Sequence, residues 1–200
     1  MIEYIPGEFA HRPVSARGFM FIHCIFVGFR KDFKGKGLAS SLISECIDDA
    51  KALKLEGVTV VTRKGSFMAG SEIFIKNGFV PVEKAKPDFE LMVKKFKDND
   101  QYPSFNQEIL TGFTEYQKGL TIFRSPQCPY TEKNVIAILE TAQKKYRIKT
   151  QLIEIQNHQA AQNTPSPFGS FAMILNGKLI SHHPISNTRF ENIMNSLTNR

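Results

Sequence analysis

The passage from Phe19 to Leu53 restricts the fold more than any other. It opens with Phe19-Met20-Phe21-Ile22-His23-Cys24-Ile25-Phe26-Val27, apolar on both alternating faces, as a central strand should be. A basic loop follows, with Arg30, Lys31, Lys34 and Lys36 against Asp32 alone, and it closes as Lys34-Gly35-Lys36-Gly37-Leu38-Ala39. A helix is expected over Leu38–Leu53, with Leu38, Leu42, Cys46, Ala50 and Leu53 as its apolar stripe. Val58–Thr62 is then a short β-branched strand. Strand, helix and strand in that order give a βαβ unit, an α/β class and a parallel or mixed sheet. Glycines let the backbone approach a ligand, and a helix N-terminus offers unpaired N–H groups with a partial positive charge. The loop therefore suits a pyrophosphate.

The rest of the chain extends this unit and then begins a second. Residues 2–5 read as a strand, Gly70–Asn77 as a short helix ended by Gly78, and Phe79–Val82 and Phe89–Val93 as further strands. Residues 97–118 are polar and turn-rich and read as a linker. A second cycle follows: strand Leu120–Phe123, helix Thr131–Tyr146 with Val135, Ile138, Leu139 and Ala142 inward, and strand Thr150–Ile155. Asn176-Gly177 between Phe171–Leu175 and Lys178–Ile180 is a strong hairpin signal, because both central residues of a type I′ turn need positive φ. A closing helix is expected over Thr188–Leu197, with Phe190, Ile193, Met194 and Leu197 on one face.

Composition excludes several classes. The chain has 200 residues, a net charge of +7, 42% hydrophobic and 22% charged residues, which fits a protein that buries a core and not a disordered one. The positive charge forms no tail or long block, so a small phosphate-bearing ligand fits better than a long polyanion, and no nucleic-acid partner is expected. No apolar run reaches the ~18 residues of a membrane span, and no signal peptide is visible. Three cysteines, Cys24, Cys46 and Cys128, fit a reducing, cytoplasmic setting.

The glycine loop between strand and helix, with Phe74-Ile75-Lys76-Asn77-Gly78-Phe79 downstream, resembles the GNAT N-acetyltransferase superfamily over roughly residues 2–96. The family motif is Arg/Gln-x-x-Gly-x-Gly/Ala; here Lys34 stands first and keeps the charge, with Gly37 and Ala39 at the other positions. The resemblance implies acetyl-CoA as co-substrate and transfer of its acetyl group to a small-molecule or peptide amine. It places Lys34, Gly35, Lys36, Gly37, Leu38 and Ala39 at the phosphates, and Phe26, Val27 and Phe29 at the acetyl group. It also implies that the end of the strand before the loop splays from its neighbour. Together with Gln127-Cys128-Pro129-Tyr130, the chain looks most like the YoaP-like two-domain acetyltransferases. Relative to the family fold it reads as N-terminally shortened, without the first strand and the two helices that wall the acceptor site. The expected organisation is a partial GNAT mixed sheet over residues 1–97, a linker over 98–118, and a small thioredoxin-like α/β domain over 119–200. Whether the chain forms a homodimer stays open.

His23 is the general-base candidate by residue type, since its ordinary pKa lies near neutrality; the alternative is a hydrogen-bonded core histidine. Glu3 and Tyr4 on the neighbouring strand are further base candidates, each more simply structural. Cys24 and Cys46 read as small core residues. Family members often use a Tyr as general acid where this chain has Phe74, which cannot donate a proton. Cys128-Pro129-Tyr130-Thr131 is similar to the active-site turn of glutaredoxin-like thioredoxin folds, with Thr131 in place of a resolving cysteine and Gly169 at the position of the cis-proline. A thiol at a helix N-terminus is activated, so Cys128 is the second catalytic candidate. The alternatives to an acetyltransferase are a non-catalytic CoA-binding or protein-interaction module and a monothiol redox protein acting through Cys128. A switch involving His182 and His183 is a further reading; no resident metal is expected.

Overall fold

The structure is a computed structural model and describes residues 1–28, 30–33, 35–65, 67–111, 114–127, 129–132 and 134–198. The chain divides into two compact units, Met1–Gln107 and Glu108–Arg200. Both are mixed α/β.

In chain order the first unit contains β1 (Ile2–Pro6), β2 (Val14–Ser15), β3 (Phe19–Ile25), α1 (Leu38–Ala52), β4 (Gly57–Arg63), α2 (Ser71–Lys76), β5 (Val80–Ala85), β6 (Phe89–Lys95) and β7 (Ser104–Phe105). Five strands form one sheet in the order β1-β3-β4-β6-β5. Only β3 and β4 run parallel, joined by the crossover through α1; the other neighbours are antiparallel. The sheet is therefore mixed.

Alternation along β3 divides the core between two faces. Met20 and Ile22 face the helices and pack with Ile43, Cys46, Ile47 and Ala50 of α1, with Val58 and Val60 of β4, and with Phe74 and Phe79. Phe21 and His23 face the other way, where Ala10, Val14 and Ala16 are also buried. Val14 of β2 pairs with Phe105 of β7, so part of the stretch expected as linker is folded into the first unit. The Phe105 N–H donates to Glu83 Oε2 and the Gln107 amide to Glu83 Oε1, which fixes that stretch to β5.

The apolar stripe of α1 differs from the sequence expectation. Leu38 and Leu53 are exposed, and the buried line is Ile43, Cys46, Ile47 and Ala50. Steps of four residues turn 400°, so the run Leu38, Leu42, Cys46, Ala50 drifts 40° per step and reaches the core face only at Cys46 and Ala50. The observed line mixes steps of three and one and stays on it.

The second unit contains α3 (Gln107–Thr111, opening at the boundary), β8 (Leu120–Arg124), α4 (Val135–Lys144), β9 (Thr150–Glu154), α5 (His158–Gln162), β10 (Phe171–Leu175), β11 (Lys178–Ser181) and α6 (Asn187–Thr198). Its sheet order is β11-β10-β8-β9, with β8 and β9 parallel and the other pairs antiparallel. Asn176 and Gly177 both have positive φ, +47° and +76°, as the hairpin signal requires. The Asn176 side chain also accepts the Gly119 N–H at 2.8 Å, tying the hairpin to the start of β8. The helix expected from Thr131 starts later: Pro129–Thr131 form a 3-10 turn, and α4 begins after Asn134, which has φ +68°. On α6, Phe190 and Met194 are buried while Leu197 is exposed.

The position of the α1 stripe gives a direct stability prediction. Ile43→Ala should cost about 2–5 kcal/mol, while Leu53→Ala should stay within about 0.5 kcal/mol. Denaturant melts of the two variants check this, and the reverse order would contradict the observed helix face.

Candidate functional site

The site forms where β3 stops pairing with β4. The parallel ladder matches Phe19↔Gly57 through Ile22↔Val60 and then ends. Both strands continue beyond it with their outer partners only. β3 stays paired to β1 as far as Ile25↔Ile2, and β4 stays paired to β6 as far as Arg63↔Phe89. The facing edges of His23–Ile25 and Val61–Arg63 are therefore open to each other. This is the splay that the sequence resemblance implies.

Backbone direction at this opening follows from the ladder. Phe26 donates its N–H to Met1 O and accepts the Met1 ammonium at its carbonyl, both at 2.9 Å. In an antiparallel pair, successive residues turn their polar groups to opposite edges. Phe26 thus faces β1 with its backbone, and Ile25 directs its N–H and C=O into the opening. Phe26, expected at the acetyl group, turns its main-chain groups to β1 and leaves its ring half-exposed. Ile25 is not marked in the sequence, because a linear sequence does not reveal the phase of a ladder. Val27 follows the strand and is partly buried.

The loop after the strand is basic and open. Gly35 and Gly37 have φ of +73° and +74°, a region that an L side chain enters only at a cost of roughly 1–2 kcal/mol. A Cβ at either position would meet nothing within 4 Å, so conformation and not crowding demands glycine there. Gly37 precedes α1 without a side-chain cap. The first helical bond runs from the Ser41 N–H to Gly37 O, so the amides of Leu38, Ala39 and Ser40 are those the helix itself leaves unbonded. Arg30 pairs with Asp32 at 2.7 Å, which leaves Lys31 and Lys36 as the uncompensated charges among the described residues of this loop. These groups fit a pyrophosphate: donors, positive charge and open space coincide. The Asn77 side chain bonds Ser40 Oγ and Ile73 O and so ties the end of α2 to the start of α1.

His23 lies beside the opening but is enclosed. Its side chain is 3% exposed, its Nε2 accepts the His11 N–H at 2.8 Å, and its Nδ1 is 3.6 Å from Glu3 Oε1. A nitrogen that accepts an N–H carries no proton, so the proton sits on Nδ1 toward Glu3. Burial lowers the His23 pKa below its ordinary value, with Glu3 opposing and Arg12 adding to the shift. The basic lone pair is already engaged, which favours the alternative of a hydrogen-bonded core histidine over a base. Arg12, buried, donates from Nη2 to the His23 carbonyl at 3.3 Å. Nothing in the local sequence marks Arg12 or His11, because the segment that carries them returns over the sheet.

The other candidates are equally constrained. The Tyr4 hydroxyl donates to Asp49 Oδ2 at 2.5 Å, and that bond with burial pushes its pKa up to about 12, so it is no base near neutrality. Burial pushes the Cys46 thiol up to about 12, as befits a core residue. Phe74 is fully buried against Phe79. His182 pairs with Ser166 Oγ and His183 donates to Pro184 O, and among the described residues no group of His, Cys, Asp or Glu could hold a metal ion. Gly169 has φ +77°, which proline cannot adopt. Phe29, Lys34 and Cys128 lie outside the described residues. No described helix is long and apolar enough to cross a membrane.

Comparison with known proteins points to acetyltransferases. The family described as YoaP-like matches residues 150–192, from β9 into α6. The chain is also 29% identical over 198 residues to the "Uncharacterized N-acetyltransferase YoaP" of Bacillus subtilis (strain 168), a match covering 98% of this chain and 77% of that protein. A solved structure described as "Crystal structure of putative acetyltransferase from Agrobacterium tumefaciens" aligns with 48% of this chain and 75% of its own, at 15% identity and a TM-score of 0.33, too loose to argue from.

The enclosure of His23 predicts a pH dependence of stability. The unfolded chain takes up a proton on this histidine near its ordinary pKa of about 6.5, whereas the folded chain does so only at lower pH. Its contribution is fully present above that value and is lost as the pH falls below it. Thermal melts from pH 7.5 to 5 should show a shallower decline for His23→Gln than for wild type; equal slopes would contradict the enclosure.

Proposed function

We propose that the chain is an acetyl-CoA-dependent N-acetyltransferase of the GNAT type, acting on a small-molecule or peptide amine through its first unit. The observation that carries this reading is the β3/β4 separation after Ile22 and Val60, directly followed by the glycine loop that opens α1. The N-acetyltransferase relative supports it independently. The sheet order of the second unit, with one parallel pair and a closing hairpin, supports a thioredoxin-like module there.

Acetyl-CoA supplies its acetyl group as a thioester. The amides from Gly35 to Ser40 and the charge of Lys36 hold its pyrophosphate at the start of α1. The Ile25 N–H, directed into the opening, is the donor placed for an acetyl oxygen that gains negative charge. His23 is a positioning residue: together with His11 and Arg12 it fixes the strand end that carries Ile25. The reaction joins the amine nitrogen to the acetyl carbon, breaks the carbon–sulfur bond so that CoA leaves as its thiolate, and releases one amine proton, which in net balance converts that thiolate to the free thiol. With Phe74 buried and the His23 lone pair engaged, that proton passes to water or to an exposed carboxylate.

A second reading is a non-catalytic CoA-binding module, and the same two residues favour it, because neither Phe74 nor His23 is poised for proton transfer. The monothiol alternative depends on Cys128.

Thermal melting with acetyl-CoA tests the binding reading. At 100-fold over the Kd, about 2.7 kcal/mol of stabilisation is expected, and Gly37→Val should remove it while the protein stays folded. No stabilisation of the wild type would overturn the reading. Release of free thiol on adding an amine panel supports the transferase over the binding module; binding without release would favour the module.

A further inference from the structure

The end of β4 that faces the opening also forms one wall of a separate cavity of about 400 Å³, bounded by Thr62–Lys64 and by the hairpin from Lys84 to Glu90. We propose that this cavity takes the acceptor, and that the acceptor is an amine bearing an anionic group, a carboxylate or a phosphate. The inference rests on the acetyltransferase reading and adds the substrate class.

Charge carries the argument. Arg63 pairs with Asp88 at 2.6 Å and Lys84 with Glu90 at 3.3 Å, so these four charges cancel in pairs. Lys64 and Lys86 also line the cavity and have no acidic partner among the described residues, which leaves it at a net +2. A bare amine is a cation at neutral pH and is repelled by that field. An acceptor that brings a negative group is therefore favoured over one that does not.

Arg63 is built to receive such a group. Its side chain is 18% exposed, with Nε bonded to Asp88 Oδ1 and its guanidinium carbon 4.8 Å from the centre of the Phe89 ring. Held on these two sides, it bonds no described residue through its Nη groups, whose fork matches a carboxylate or phosphate edge. Arg63 follows Thr62 on β4, past the point where β3 has departed, so an anion here sits at the same end of the sheet as Ile25.

The test uses matched acceptors with the full chain: β-alanine against β-alaninamide, and phosphoethanolamine against ethanolamine. Thiol release gives kcat/KM, and calorimetry gives binding without reaction. The anionic member of at least one pair should be favoured about 10-fold, and whichever pair shows it identifies carboxylate or phosphate. Lys64→Gln/Lys86→Gln should raise its KM about 5- to 10-fold with acetyl-CoA stabilisation unchanged. Arg63→Gln should lose more; because it also breaks the Asp88 pair, the lysine variant is the decisive one. No preference for the anionic member, or a preference that survives the lysine variant, overturns the proposal even if transfer occurs. Lysine-dependent binding of the anionic probe without any transfer would overturn the acetyltransferase reading alone.

Discussion

The first unit is organised by the pairing of β3. This strand lies between β1 and β4 and keeps only one of them to its end. Up to Ile22 it is locked on both edges, and its side chains fill both layers of the core. After Ile22 the β1 ladder persists and the β4 ladder stops, so a run of main chain is held rigid on one edge and left open on the other. An open strand edge normally invites association. Here it lies inside the sheet, between two strands that other partners hold in place.

That constraint explains how the neighbouring parts are used. The His11–His23–Glu3 contacts, with Arg12 on the His23 carbonyl, hold the strand end from the face opposite α1. On the other face, Tyr4–Asp49 joins β1 to α1, and Asn77 joins the end of α2 to Ser40. The polar residues nearest the opening thus act on geometry. The groups proposed to touch a ligand are main-chain amides, together with lysines and Arg63. A site of this kind tolerates Phe74, where the resembled superfamily often has a tyrosine, more readily than the loss of Gly37, because orientation and amide donors remain.

Much of this was legible in the sequence because it rests on local rules. Both glycines of the loop need left-handed backbone, Asn176-Gly177 needs a tight hairpin, and Phe19–Ile25 is apolar on both faces because its first four residues are buried on both. What was not legible depends on contacts between distant segments. The apolar line of α1 could be drawn in two nearly equivalent ways, and only the sheet beneath it selects Ile43 and Ile47. The short β2–β7 ribbon joins Val14 to Phe105 across most of the first unit, and neither segment has periodicity of its own. His23 looks like a base from its residue type, but its lone pair is taken by a residue twelve positions earlier. Ile25 is distinguished from Phe26 only by the phase of a ladder.

Acetyl-CoA is proposed to lie along the open end of β3 and on the loop that starts α1. Amide hydrogen exchange with and without acetyl-CoA tests this most directly. The account predicts new protection at Ile25 and across Gly35 to Ser40, with the second unit unchanged. Protection confined to the second unit, or absent from the open end of β3, would contradict it.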